Sequence, residues 1–207
     1  MESVHIKQIE ALVEKARNPL DTYIALVKRW QNAVNLVSSN TIPDIWKRHV
    51  LDSAQLFPLL PQNAGALLDM GSGAGFPGVV LAILNKELRG PLKQVILVES
   101  DLKKSLFLKE VVRVLDLNVD VRNQRAESIE DISVPVVTAR ALADLNQLLL
   151  WGRKFITPNT TCLFLKGAAV DNEIRENRVN CCIEKTNSIV NSEGCVLKIS
   201  KIDYGVQ

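Results

Sequence analysis

The sequence predicts an α/β fold: a mostly parallel, seven-stranded sheet with helices on both faces and a helical extension at the N-terminus. Three observations predict it. From Ala66 onward, short apolar runs alternate with stretches of helical periodicity, the pattern of strand-helix units that pack as a parallel sheet. The first run, Leu67-Leu68-Asp69-Met70, breaks into a turn that carries Gly71, Gly73, Gly75 and Gly78 within eight positions, and an apolar helical pattern follows it. Ahead of residue 62 the apolar residues recur at helical spacing alone. The expected organisation is a helical extension over residues 1–62, packed on a single compact domain over 63–207.

Each element has its own reason. Ile9, Leu12, Val13 and Ala16 form one helical stripe, so a first helix runs from Val4 to Ala16. Asn18 reads as the N-cap of a second helix with Pro19 at its first position, and Leu20, Tyr23, Val27, Trp30 and Val34 make its apolar face. A third helix starts near Pro43, carries Ile45, Trp46, Val50, Ala54 and Phe57, and stops before Pro58. Strand one covers 66–70, and its helix begins near Phe76 or Pro77, where the missing proline N–H costs nothing. Strand two is Gln94 to Val98 and ends at Glu99; a helix over Leu102 to Leu117 follows. Strand three, near Asn118 to Arg122, leads into a loop with Arg125, Ala126 and Glu127. Strand four, Pro135 to Ala139, ends at Arg140, and Leu145 to Phe155 is helical. Strand five, Thr161 to Leu165, ends at Lys166-Gly167, and after a helix near 171–178 the segments 181–190 and 195–202 form a terminal antiparallel hairpin.

Composition narrows the function classes. A chain of 207 residues buries a real core but is short for a dehydrogenase with a separate substrate domain. At 47% apolar residues, with no run near the roughly 20 that a membrane helix needs and no signal pattern at Met1-Glu2-Ser3-Val4-His5, it reads as a soluble cytoplasmic protein without a membrane partner. We expect a monomer. Cys162, Cys181, Cys182 and Cys195 lack both a paired framework and metal-ligand spacing, and only His5 and His49 could assist, so reduced thiols and no metal are expected. A formal charge of +2 is too small by itself to announce a nucleic-acid binder, although basic pairs occur at Lys28-Arg29, Lys47-Arg48, Lys103-Lys104 and Arg153-Lys154.

The glycine turn fits two cofactors. Gly73, Gly75 and Gly78 match the spacing of a dinucleotide site, in which a pyrophosphate rests on a helix N-terminus. Gly71, Gly73 and Gly75 match a G-x-G-x-G turn with Asp69 just ahead of it. A carboxylate there repels a pyrophosphate and attracts a cationic sulfonium and amino acid, which favours S-adenosylmethionine over NAD. Ligands of open parallel sheets bind at the C-terminal strand ends, and Asp69, Glu99, Arg140 and Lys166 all stand at such ends. Glu99 is suited to accept both hydroxyls of a ribose.

Several segments together resemble one family, the bacterial small-subunit rRNA guanine-N7 methyltransferases known as RsmG or GidB. The resemblance rests on Trp46-Lys47-Arg48-His49-Val50-Leu51-Asp52-Ser53, on Leu68 through Gly78, on Val98-Glu99-Ser100 with Lys103-Lys104, on Arg125-Ala126-Glu127, on Thr138-Ala139-Arg140-Ala141 and on Leu165-Lys166-Gly167. It implies a class I methyltransferase fold, Rossmann-like, with S-adenosylmethionine as cofactor. It also implies methylation at N7 of a guanosine in the 530 loop of 16S rRNA, guanine 527 in rRNA numbering, so that 16S rRNA or the small ribosomal subunit is the partner. Carried over by position, cofactor contacts fall on Gly71, Phe76, Ala126, Glu127 and Arg140. Asp69, Gly73 and Glu99 join them on the physical argument above. Lys47, Arg48, His49 and Lys166 are the candidate RNA contacts, in a basic rim that could also include Lys28-Arg29 and Arg125. Arg140 is the candidate catalytic residue, acting by position either on the cofactor carboxylate or beside the target base. Val37, Ala139, Glu99 and Lys104 depart from the family's usual threonine, serine, aspartate and arginine.

Guanine N7 carries an exposed in-plane lone pair and loses no proton on attack, so the reaction needs alignment and exclusion of water rather than a base. Three other readings make different demands. A methyltransferase of small molecules or proteins has no use for basic N-terminal helices. An NAD enzyme binds nicotinamide and gains nothing from S-adenosylmethionine. An RNA-binding module without catalysis is indifferent to loss of Asp69 or Glu99.

Overall fold

The computed structural model describes residues 2–130 and 132–205; Met1, Asp131, Val206 and Gln207, which the sequence-based ranges include, lie outside them. Seven strands form one sheet: β1 (Gly65–Met70), β2 (Leu92–Val98), β3 (Val119–Arg122), β4 (Val136–Arg140), β5 (Thr161–Lys166), β6 (Asn180–Asn187) and β7 (Cys195–Asp203). Their order is β3-β2-β1-β4-β5-β7-β6. Strands β1 to β5 pair in parallel, whereas β7 runs antiparallel to both β5 and β6. The order reverses at β1, which lies between β2 and β4, and that reversal opens a crevice at the C-terminal strand ends.

The strand side chains alternate between two apolar layers, as a period of two requires. Leu67, Val95, Leu97, Val136 and Leu163 face one layer, and Leu68, Met70, Ile96, Val98, Val137 and Phe164 face the other. Helices α1 (Glu2–Lys15), α2 (Arg17–Val34), α4 (Gly78–Leu88) and α5 (Leu102–Leu115) pack on the first layer. Helices α6 (Leu145–Gly152) and α7 (Val170–Arg175) pack on the second. Every residue of α4 from Gly78 to Leu84 is buried, because the helix lies between the sheet and the N-terminal helices. Its unbroken apolar sequence is the consequence of having no solvent side.

Several expectations about element ends change; α5 stops at Leu115 and α6 at Gly152, short of the expected Leu117 and Phe155. Helix α2 begins at Arg17 with Ala16 ahead of it and no side-chain cap, so Asn18 does not cap it and Pro19 falls within its first turn. Ala16 N–H bonds the Val13 carbonyl and Leu20 N–H bonds that of Ala16, so hydrogen bonding runs through the junction and no separate cap is needed. The predicted third helix is a composite. A wide π turn over Trp46–Leu51 passes into α3 (Asp52–Ala54), and a 3-10 turn over Phe57–Leu59 contains Pro58 rather than stopping before it. Helix α4 starts one residue after Pro77, which occupies the cap position.

Among the described residues no helix is long and apolar enough to cross a membrane, and no group of three or more His, Cys, Asp and Glu could hold a metal ion.

Candidate active site

The turn between β1 and α4 is shaped by backbone. Gly71 and Gly73 sit at φ 62° and 56°, a region that side chains with a Cβ avoid. At Gly71 a Cβ would also meet the tip of the Leu142 side chain, which would have to move, so a larger residue there is strained in backbone and crowded in side chain. At Gly73 the nearest atom to an added Cβ is the Gly71 carbonyl oxygen at 3.8 Å, so the chain leaves a bare, open cradle there. Ser72 ties the turn down: its N–H bonds the Val98 carbonyl at 3.0 Å and its hydroxyl donates to the Asp69 carbonyl at 3.0 Å. From below, the fully buried Tyr23 of α2 donates its hydroxyl to the Ala74 carbonyl at 2.6 Å.

Asp69 lies under this turn rather than in it. Its carboxyl accepts from the Thr138 hydroxyl at 2.7 Å and from the Gly78 N–H at 3.3 Å, and the residue is 1% exposed. Burial pushes its pKa up to about 6, against the opposing pull of those hydrogen bonds. It is a strut joining β1, β4 and the start of α4. Glu99 is the carboxylate that reaches the cradle. One of its oxygens accepts from Gly73 N–H at 2.8 Å and the other from Asp101 N–H at 2.7 Å. A carboxylate has about four acceptor sites, so capacity remains for a ribose diol. Beyond β3, a 3-10 turn over Ala126–Ser128 buries Ala126 in the second apolar layer and leaves Glu127 exposed.

A second cluster forms around Arg140, at the end of β4. Its Nη2 donates to His49 Nδ1 at 2.7 Å, its Nε stands 3.6 Å from an Asp52 carboxylate oxygen, and its guanidinium lies 5.9 Å over the Phe76 ring. Phe76 also packs against the rings of Tyr23 at 5.2 Å and His49 at 4.9 Å. Because Arg140 can only donate, His49 must accept at Nδ1 and carry its proton on Nε2. That Nε2–H donates to Thr41 Oγ1 at 2.8 Å, and the threonine hydroxyl passes its own proton toward the Ser38 carbonyl at 2.6 Å. Burial, with the charges of Arg140 and Arg48, pushes the His49 pKa down to about 3. The ring is therefore neutral near pH 7, and with both nitrogens engaged it has no lone pair left for proton abstraction. Arg140 Nη1 is buried without a partner.

Arg140 also lines a cavity of about 670 Å³ at the C-terminal ends of β4 and β5. Lys47 and Arg48 line it too and are exposed. His49 is turned inward, away from that rim, at 7% exposure. Lys166 lines the cavity but is not a free cation: its ammonium donates to the Ala143 carbonyl at 2.6 Å and pairs with Glu173 at 2.6 Å. Lys28 and Arg29 do not line the cavity; they lie on the exposed face of α2, which packs along α5. Arg125 does not line it either. At Val37 the backbone is held by Gln31, whose side chain accepts from the Val37 N–H and donates to its carbonyl.

Sequence reasoning missed Thr138, Tyr23 and a clasp between the α3 segment and the turn after β6. In that clasp Ser188 Oγ donates to Asp52 at 3.2 Å and Ile189 N–H donates to the Gln55 side chain at 3.2 Å. Asp52 lay within a motif already singled out, but its partner is 136 positions away.

Comparison with known proteins bears on this arrangement. A family model described as rRNA small subunit methyltransferase G matches residues 16–196. A curated relative from Paramagnetospirillum magneticum, named ribosomal RNA small subunit methyltransferase G, is 42% identical over 188 residues, covering 90% of this chain and 89% of its own. One of the same name from Rhodospirillum centenum is 42% identical over 205 residues, covering 97% and 92%. Among solved structures, a SAM-dependent methyltransferase from Aquifex aeolicus superposes with a TM-score of 0.59 at 16% identity, over 78% of this chain and 94% of that one. At that identity the likeness speaks for the fold.

Proposed function

This chain belongs to the rRNA small subunit methyltransferase G family, and from that premise we propose that it methylates N7 of a guanosine in the 530 loop of 16S rRNA, guanine 527 in rRNA numbering. Its cofactor is S-adenosylmethionine. The observation that carries the reading is the open cradle at Gly73 with the Glu99 carboxylate already on its N–H. That pairing fits the group, because a Cβ would fill the space a ligand needs and the acid has acceptor sites to spare.

When bound, S-adenosylmethionine supplies an electrophilic methyl on a sulfonium. Glu99 would take the ribose hydroxyls, Gly71 and Gly73 would offer backbone to the amino acid end, and Ala126 and Glu127 would receive the adenine edge. Phe76 closes the apolar side of the seat. Asp69 holds the loop against α4 from beneath, and in this reading its charge acts through the loop. Arg140 orients the substrate side, fixed by His49 and Asp52. No residue need remove a proton, since N7 attacks with a lone pair it already carries. What the chain supplies is alignment and a dry site. Lys47 and Arg48 meet the RNA phosphates, so affinity should fall as salt rises.

The test is to map the methylated nucleotide by mass spectrometry after incubating the protein with isotopically labelled S-adenosylmethionine and small ribosomal subunits lacking the modification. One labelled 7-methylguanosine in the 530 loop is expected. Label on another atom, or on another nucleotide, would overturn the assignment.

A further inference from the structure

We propose that Tyr23, which belongs to the N-terminal helices rather than to the sheet, is a positioning residue of the cofactor site: its hydroxyl holds the Ala74 carbonyl and so presets the turn that takes the methyl donor. This rests on the reading of that turn, Gly71 to Gly75, as the seat of S-adenosylmethionine.

The end of the turn leaves two backbone groups without main-chain partners. A helix continued back through Pro77 would pair the Gly78 N–H with the Ala74 carbonyl, four residues earlier. Instead the Gly78 N–H turns to the Asp69 carboxyl at 3.3 Å, and the first helical bond is that of Val79 N–H to the Gly75 carbonyl at 2.8 Å. Among the described residues no main-chain N–H bonds the Ala74 carbonyl, and Ala74 is 5% exposed, so an unmet acceptor there would be costly. Tyr23 supplies the donor at 2.6 Å, from 51 positions away. Asp69 of β1 and Tyr23 of α2 thus divide one task, each meeting one member of the broken pair.

The surrounding sequence makes room for this bond. Gly75 sits at φ 97°, and a Cβ there would come within 2.9 Å of the Tyr23 hydroxyl. Leu20, Ile24 and Val27 make the neighbouring buried face of α2 apolar, and a phenylalanine at position 23 would continue that face with no polar group to satisfy. Burial pushes the Tyr23 pKa well above its ordinary value, so the phenol keeps its proton and remains a donor. The same ring meets Phe76 at 5.2 Å, so one side chain fixes both ends of the segment 74–76.

A turn that binds through its backbone depends on being set in advance. The Gly73 N–H is held by Glu99 and the Gly75 N–H by the Ser72 carbonyl at 2.6 Å, and Tyr23 adds a tie from the opposite side. Without it the freed residue must be ordered again each time the ligand arrives, which lowers affinity.

Full-length wild type, Tyr23→Phe and Val27→Ala are compared by calorimetric titration with S-adenosylmethionine, by methyl-transfer kinetics on small subunits lacking the modification, and by urea denaturation. Val27→Ala truncates the same buried face of α2 and leaves the hydroxyl in place. Tyr23→Phe is expected to weaken S-adenosylmethionine binding roughly tenfold, the scale of re-fixing one backbone residue, and to raise the KM for it alike, with the KM for subunits unchanged. Val27→Ala should lose stability and keep wild-type affinity. Encoding p-aminophenylalanine at position 23, which returns a donor to the end of the ring, should recover the affinity. Wild-type affinity in Tyr23→Phe, or an equal loss in Val27→Ala, would overturn the proposal, and a weakened Glu99→Ala beside it would leave the seat standing. A wild type that binds no S-adenosylmethionine would remove both. Should Tyr23→Phe fail to fold, hydrogen exchange in the ligand-free wild type decides: a slow Gly75 amide supports a preset turn, and exchange as fast as in an unstructured loop contradicts it.

Discussion

The glycine turn leads into Phe76 and the Arg140 cluster packs against that ring, and the two are built by different means. The turn takes its shape from the backbone of residues 69–78, three glycines at positive φ (Gly71, Gly73 and Gly75) and one carboxylate, Glu99, from the neighbouring strand. The Arg140 cluster is made of side chains brought together from far apart, with His49 bonded across 91 positions and Phe76 packed between them. A backbone-built seat depends on few identities and tolerates change around it. A side-chain cluster depends on every member, since each fixes the direction of the next.

That difference is open to perturbation. The largest effect is expected from Arg140→Ala, which removes the centre of the side-chain cluster that packs on Phe76. Loss of a preorganised charged donor typically costs 10²- to 10³-fold, so kcat/KM for subunits should fall by about that much. An unchanged rate would dismiss the cluster. Glu99→Ala should separate the two regions: the KM for S-adenosylmethionine rises roughly tenfold or more, as loss of hydrogen bonds to a charged group implies, while affinity for subunits is unaltered. A parallel loss of RNA affinity would show the regions are not independent.

Smaller effects follow on the substrate side. His49→Phe frees Arg140 from its partner and should lower kcat by about tenfold, the scale of one buried hydrogen bond to a charged group, with His49→Gln restoring part of it through an acceptor oxygen. The same residue sets a pH dependence of stability. His49 in the folded chain titrates at about 3, below the ordinary 6.5, so the unfolded chain binds more protons as pH falls from 6.5 toward 3 and stability drops across that window. Asp69, raised from 3.8 to about 6, acts the other way between those values, its buried charge being relieved as it protonates. Urea denaturation at several pH values should therefore show a shallower acid-side loss in His49→Gln than in the wild type. A steeper one would contradict the histidine's assignment. The smallest effect is expected from Arg48→Ala, which should reduce the slope of log affinity against log salt by about one if it holds one phosphate.

The same contrast explains what the sequence could disclose. The succession of strands and helices, the glycine turn and the acid at the end of β2 follow from local pattern, because each is written in consecutive residues and a parallel sheet delivers strand ends to one edge, whereas the spatial order of the strands came from the structure. The inward turn of His49 is not written locally. It arises from the π turn over Trp46–Leu51, where a regular helix through the same residues was expected. Lys166 reads as one more rim cation until Glu173 of α7 is found beside it. Asp69 reads as a ligand-facing charge by its position ahead of the glycines, yet the Thr138 hydroxyl of β4 and the start of α4 claim both its oxygens.

The account stands on the cradle at Gly71 to Gly73 being the seat of the methyl donor, with Glu99 as its side-chain anchor. Calorimetric titration of S-adenosylmethionine into the wild type and Glu99→Ala, with circular dichroism confirming that both are folded, tests this most directly. One equivalent bound per wild-type chain and a marked loss of affinity in Glu99→Ala are predicted; equal affinity in the two proteins, or no binding to the wild type, would contradict it.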